Sequence, residues 1–179
     1  MNQTLFEMIP NWVLFCISNK KEIILYIRPK DLEKLLFFLK NHMNARVKTL
    51  VDVCGADYPY RSKRFEVVYQ LLSVDFNQRL TIKVCVDEVT PVTSMTSIFS
   101  SAGWFERETW DMYGIHFLNH CDLRRILTDY GFEHFPLRKD YPLSGFTQVK
   151  YDYTQKCVIT EKLEVSQEFR SYDFSSPWA

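Results

Sequence analysis

Acidic and basic residues balance at 22 each over 179 positions, so the chain has no net charge to spend on a polyanion. Without a basic stripe it has no electrostatic footprint for nucleic acid and nothing to hold it on an anionic lipid surface. Long apolar runs are absent too. The longest nearly uncharged one covers residues 12–18, far below the roughly 20 residues that a membrane-spanning helix needs. Glycine is scarce, at five, and neither GxGxxG nor GxxxxGK[ST] occurs, which removes the usual phosphate-cradling loops. The five cysteines, Cys16, Cys54, Cys85, Cys121 and Cys157, are scattered with no CxxC spacing, so no pair can begin a zinc or iron–sulfur clasp. They read as reduced, mostly buried thiols. The first twelve residues contain one Glu and no Arg, and are expected to be neither a secretory signal nor a transit peptide. No repeat or low-complexity block occurs.

What is present is aromatic surface: 14 Phe, 10 Tyr and 4 Trp. That is more than one domain core of this size ordinarily uses, and interfaces favour Tyr and Trp. A chain of this length can bury about 70% of its extended-state surface, enough for one core without staples.

Along the chain, residues 12–17 and 22–27 are apolar, β-branched runs around a polar turn at 18–21, as in a hairpin or two consecutive strands. Pro29 then opens a helix in which Leu32, Leu35, Leu36, Leu39 and Met43 share a face, with Asp31 and Glu33 at its start and Lys40 near its end. Strands are expected at 49–53, 65–74 and 80–86, joined by turns at 57–59 and 76–78. A short helix over 94–99 closed by Gly103, and a second over 104–113 stopped by Gly114, complete an α+β domain. The expected architecture is a mostly antiparallel sheet covered by helices, with an extended C-terminal arm. The domain covers residues 1–145 and the arm 146–179. A further hairpin fits 149–152 and 157–160, and the arm's Phe169, Tyr172, Phe174 and Trp178 are too aromatic for a disordered tail, so the arm should order against a partner.

The most distinctive stretch is 104–145, where three of the five glycines and three of the four histidines fall among interleaved acids, bases and aromatics. His116 and His120, four apart and followed by Cys121 and Asp122, would offer two imidazoles to a metal on a helix, but Gly114 should end the helix first. Hydrogen-bonded structural histidines are the favoured reading. Glu106, Glu108 and Asp111 could serve acid/base chemistry, yet Arg107 stands four residues before Asp111, and paired charges that orient the helix are favoured. Arg124, Arg125, Arg138 and Lys139 could hold an oxyanion or a quinone headgroup. Asp122, Asp129 and Asp140 are near enough to neutralise them as ion pairs, and the prolines at 136 and 142 should hold an extended turn between them. The residues alone therefore describe a docking domain.

The strings FERETWDMYGIHF, HCDLRRILTDYGF and PLRKDYPLSG closely resemble the signature of the thirty-kilodalton hydrophilic-arm subunit of respiratory complex I. RFEVVYQLLS, VDEVTPVTSMTSIFSSAGW and the ending QEFRSYDFSSPW extend the resemblance over nearly the whole chain, toward the mitochondrial branch. Cys121 stands where that family usually has proline, and Glu133-His134-Phe135 where it usually has Glu-Gly-His. The resemblance implies a peripheral subunit of NADH:ubiquinone oxidoreductase, which couples NADH-to-ubiquinone electron transfer to proton translocation. Such a subunit holds no cofactor and no catalytic residue of its own, while FMN and iron–sulfur clusters sit on other subunits. It would pack chiefly on the large quinone-site subunit, on the matrix side of the mitochondrial inner membrane, and be organelle-encoded. Its signature positions are Glu106, Arg107, Glu108, Asp111, Gly114, His120, Asp122, Leu123 and Arg124. The competing readings are a stand-alone metal-dependent enzyme and the equivalent subunit of a related hydrogenase or plastoquinone-reducing complex.

Overall fold

The computed structural model describes residues 9–18, 22–168, 170–172, 174–176 and 178. Phe169, the polar turn residues Asn19, Lys20 and Lys21, and the start of the expected leaderless N-terminus lie outside the described residues. The chain forms two units, Met1–Lys139 and Asp140–Ala179.

In the first unit, strands β1 (Val13–Ser18), β2 (Ile23–Ile27), β3 (Thr49–Asp57), β4 (Phe65–Ser73) and β5 (Gln78–Val86) make one sheet in the order β1-β2-β5-β4-β3. The β2–β5 pairing is parallel and the other three are antiparallel. Period-two alternation decides which face is buried. In β5, Leu80, Ile82, Val84 and Val86 point to the core while Arg79, Thr81, Lys83 and Cys85 do not. β4 contributes Phe65, Val67, Tyr69 and Leu71 to the same side, in register with them.

A 3-10 turn at Pro29–Asp31 leads into helix α1 (Leu32–Asn41), with Pro at the start, where its missing N–H costs nothing. Leu32, Leu35, Leu36 and Leu39 are fully buried, and each contributes about 1.5–3 kcal/mol by leaving water. Met43 lies beyond the helix end and is exposed. Helix α2 (Ala102–Tyr113) packs on β3, where the Thr109 hydroxyl donates to the Val53 carbonyl at 3.3 Å. A Cβ on Gly55 would come within 2.7 Å of Tyr113 Cδ2, so glycine is required at this crossing. Two short strands, β6 (Val92–Thr93) and β7 (Phe117–Leu118), pair in parallel and bracket α2.

Three expectations need correction. Residues 94–99 form turns, not a helix, because the Ser94 N–H is drawn to the Leu118 carbonyl and the Met95 N–H to a carboxylate of α2. Gly103 consequently lies inside the first turn of α2 and stops nothing. The thiols are not buried: Cys16, Cys54, Cys121 and Cys157 are exposed and Cys85 is half-buried. Cys16 and Cys54 sit on the two edge strands of the sheet, where half of each strand's surroundings is solvent.

The second unit contains an antiparallel hairpin of β8 (Thr147–Asp152) and β9 (Cys157–Lys162). Val149 pairs with Thr160 and Tyr151 with Val158 on one face, and the opposite face carries the Lys150–Glu161 ion pair at 2.5 Å. Tyr172, Phe174 and Trp178 are exposed.

Candidate functional site

The expected signature folds as helix α2 followed by loops that its own acids hold in place. α2 ends at Gly114, whose φ of 76° is the left-handed conformation that closes a helix at low cost for glycine. A Cβ here would lie 2.7 Å from Phe135 Cε2 and 2.8 Å from Arg138 Nη2. Both neighbours press on the turn because Arg138 Nε donates to the Tyr113 carbonyl at 2.7 Å, with its guanidinium over the Phe135 ring.

Asp111 is wholly buried and gathers five donors. Oδ1 accepts Arg125 Nη1 at 2.9 Å and the Thr128 hydroxyl at 2.6 Å. Oδ2 accepts the backbone N–H groups of Ile126, Leu127 and Thr128 at 3.1, 2.7 and 2.9 Å. Burial pushes this carboxyl up, but the bonds from Thr128, Leu127 and Arg125 prevail and hold it at about 2. The expected Arg107 partner is not the one used. Arg107 donates instead to the Arg124 carbonyl at 3.2 Å and lies over the Trp104 ring at 5.1 Å. Several backbone amides in one loop offer Asp111 what a single exposed helical neighbour cannot.

Glu106, one turn earlier and equally buried, binds the other flank. Its carboxylate accepts the Ser94 hydroxyl at 2.6 Å and the Met95 N–H at 2.7 Å. Burial pushes the Glu106 carboxyl up, against the pull of Ser94, Met95 and nearby His120. The His120 side chain is also shut from solvent. Its Nδ1 accepts the Asp122 N–H at 3.1 Å, which leaves the proton on Nε2 to donate to the Gly103 carbonyl at 3.1 Å, with Glu106 Oε2 3.8 Å away. His116 goes elsewhere and meets the edge of Trp110. Thus the two imidazoles are not brought to one point, and among the described residues no group of three or more His, Cys, Asp or Glu side chains could hold a metal ion.

The remaining signature residues are nearer the surface. Glu108 is exposed beside the groove between α2 and β3, Asp122 and Arg124 pair with each other at 2.8 Å in solvent, and Leu123 packs on the core from its rim. Of the cations read as ion-paired, Arg125 pairs with Asp111 and Arg138 approaches Glu88 at 3.8 Å, while the Asp129 carboxylate accepts the N–H of Tyr130. Residues 136–140 form turns, as expected between the two prolines.

A further buried carboxylate was not singled out from the sequence. Asp57, read as a turn residue, accepts Arg64 Nε and Nη2 at 2.7 and 2.9 Å and the Lys139 N–H at 2.8 Å. The Arg64 fork beside it, against the effect of burial, holds this carboxyl below its usual range. An acid and an arginine seven apart across a predicted hairpin were the available signal.

The outcome is an inverted polarity. Two of the region's acids, Glu106 and Asp111, turn inward, while Trp104 (67% exposed), Leu127 (61%), Tyr130 (104%) and Leu137 (50%) turn outward. Exposed aromatic and apolar side chains of this kind are what contact surfaces between proteins are built from.

Comparison with known proteins places this geometry. The family model described as "Respiratory-chain NADH dehydrogenase, 30 Kd subunit" matches residues 25–147. NADH-ubiquinone oxidoreductase subunit 9 of Prototheca wickerhamii is 52% identical over 176 residues, covering 98% of this chain and 92% of that protein. NADH dehydrogenase [ubiquinone] iron-sulfur protein 3 of Marchantia polymorpha is 58% identical over 176 residues, covering 98% and 90%. A chain in the structure of the membrane-bound sulfane sulfur reductase, an archaeal respiratory membrane complex, has the same fold, with a TM-score of 0.67 at 18% identity over 79% of this chain and 83% of that one. The chain belongs to the family of the 30 kDa subunit of respiratory-chain NADH dehydrogenase, and is a peripheral-arm subunit of mitochondrial complex I.

Proposed function

We propose that this subunit contributes surfaces, not chemistry, to NADH:ubiquinone oxidoreductase: it clamps the hydrophilic-arm subunits, chiefly the large quinone-site subunit, through its signature loops and through residues 146–179. The observation that carries this reading is the inverted polarity of the signature, in which Glu106 and Asp111 are saturated by internal donors and Trp104, Leu127, Tyr130 and Leu137 face outward. A carboxylate with five internal donors is committed to holding a loop and is poorly placed to exchange protons near neutral pH.

Some relatives are named iron-sulfur proteins. This chain's cysteines do not fit a cluster, which needs four sulfur ligands around one centre, because Cys16, Cys54 and Cys85 lie on three different strands of the sheet, the first two at its opposite edges. FMN and the clusters of the electron path accordingly belong to neighbouring subunits, and proton translocation to the complex as a whole. The site of action is the matrix side of the mitochondrial inner membrane, and the chain is organelle-encoded. No described helix is long and apolar enough to cross a membrane.

The test is to place charge on the outward apolar surface, with Trp104→Glu and Leu127→Glu together. The expected result is an isolated chain with unchanged circular dichroism and melting, but a severalfold smaller fraction in complex I on native gels. Full incorporation of the doubly charged variant would refute the docking role of this surface.

A further inference from the structure

The two edges of the five-stranded sheet are treated differently. The β3 edge is managed: α2 packs against it, Asp52 puts a charge in mid-strand, and its pairing is broken by an irregularity between Leu50 and Asp52. These are the usual means of keeping an edge from pairing with another chain. The β1 edge has a register shift at its start, between Val13 and Phe15, but from Phe15 to Ser18 its pairing with β2 is regular. Its sequence, VLFCIS, contains no charge and no proline.

The side chains of β1 are open on both faces. Leu14 is 55% exposed, Phe15 52% and Ile17 41%. Phe15 stacks on Tyr26 with ring centroids 4.1 Å apart, and the register sets Ile17 beside Ile24 on that same face. Cys16, opposite Leu25, projects to the other. Among the described residues the outer row of backbone N–H and C=O groups pairs with no strand, and it is flanked by apolar side chains above and below, which is the recognition chemistry of strand addition. Among the described residues, the strands of the two smaller sheets offer no comparable edge: β6 and β7 have two residues each, and β8 and β9 carry Lys150, Asp152, Glu161 and Lys162.

We propose that β1 is a docking edge that accepts one extended, uncharged strand from a neighbouring subunit of the complex, continuing the sheet to six strands. The size of the edge argues against a second copy of this chain as the occupant. Six residues span about 20 Å and a strand presents a face about 10 Å deep, hence on the order of 200 Å². A stable pair needs about 800 Å² from each partner. An added strand suffices only when its own subunit is held by other contacts, as in a multisubunit arm. This surface is separate from the signature loops, so its failure would leave the clamp reading standing.

Amide hydrogen exchange tests the assignment on the full chain alone and in intact complex I. Slowing of the β1 amides by tenfold or more in the complex is the expected result. Leu14→Lys and Ile17→Lys, at exposed positions, should leave the isolated chain folded by circular dichroism and reduce its incorporation severalfold. Equal β1 exchange in both states, or wild-type incorporation of the lysine variants, overturns the proposal. Concentration-dependent protection of β1 in the isolated chain would assign the edge to a second copy instead. Loss of protection on deleting residues 1–8 from the isolated chain would assign it to the chain's own N-terminus. Either result also overturns it.

Discussion

Asp111→Asn removes one charge and almost no volume, so its effect reads the carboxylate alone. The two oxygens serve five donors, three of them backbone N–H groups on Oδ2 and two side-chain donors on Oδ1. Whichever way the amide is turned, its NH2 group faces two or three of those donors and can accept from none. Two routes give the magnitude. The carboxyl lies at about 2 against an ordinary 3.8, and at about 1.36 kcal/mol per unit the charge alone contributes about 2.5 kcal/mol. Donors left unpaired in a buried site add about 1–3 kcal/mol, for a total loss of about 3.5–5.5 kcal/mol. In a chain of this size each kcal/mol shifts the midpoint by about 2–4 °C, so melting should fall by roughly 7–22 °C. Thermal and urea denaturation of the isolated chain measure it, with Asp122→Asn as the control. Asp122 pairs with Arg124 in solvent, and its loss should cost less than about 1 kcal/mol. An Asp111→Asn protein as stable as the control would refute the reading of this carboxylate as the pin of the 125–128 loop.

The same carboxylate fixes a pH dependence. Because its folded value is depressed, its stabilisation is complete above about pH 4 and is lost as pH falls toward 2; acid titration of stability should show this slope in the wild type and not in Asp111→Asn. Glu106 has the opposite sign, since its raised folded value favours the fold at low pH and that contribution disappears as pH rises through it. Glu106→Gln should therefore be milder than Asp111→Asn, at about 1–2 kcal/mol, and its deficit in denaturation experiments should narrow as pH rises from 4 to 8. Gly55→Ala would drive a methyl against the Tyr113 ring at 2.7 Å and should cost about 1–3 kcal/mol; the double variant with Tyr113→Leu should recover much of that loss in a denaturation cycle. Gly114→Ala meets both a φ of 76° and the crowding of Phe135 and Arg138, and should be worse than Gly55→Ala by the same assay.

The elements that sequence patterning revealed are those whose partners are local or periodic. The Leu32, Leu35, Leu36, Leu39 stripe and the alternation of β4 and β5 follow from 3.6- and 2-residue periods, and the hairpin at β8 and β9 from two short runs around a polar turn. Gly114 was legible because only a left-handed residue ends a helix in that way. The parallel β2–β5 pairing was not, since nothing near either strand encodes a neighbour over 50 residues away. The site failed in the same manner. Arg107 looked like the partner of Asp111 because it lies on the same helix, yet Arg125 and the amides of 126–128 win by enclosing the carboxylate from a distant loop. Asp57 was misread for the same reason: its partners Arg64 and Lys139 converge only after folding. Exposed cysteines on the sheet edges escaped a reading that took reduced thiols for buried ones.

The central claim is that this subunit acts through contact, and complex I carrying a chain cut after Lys162 tests it most directly. That cut keeps the β8–β9 hairpin and removes the exposed Tyr172, Phe174 and Trp178. NADH:ubiquinone turnover is measured per assembled complex, beside the amount assembled. The expected outcome is a severalfold drop in assembled complex with turnover per complex unchanged. Full assembly with turnover lost would mean that the chain takes part in the chemistry itself.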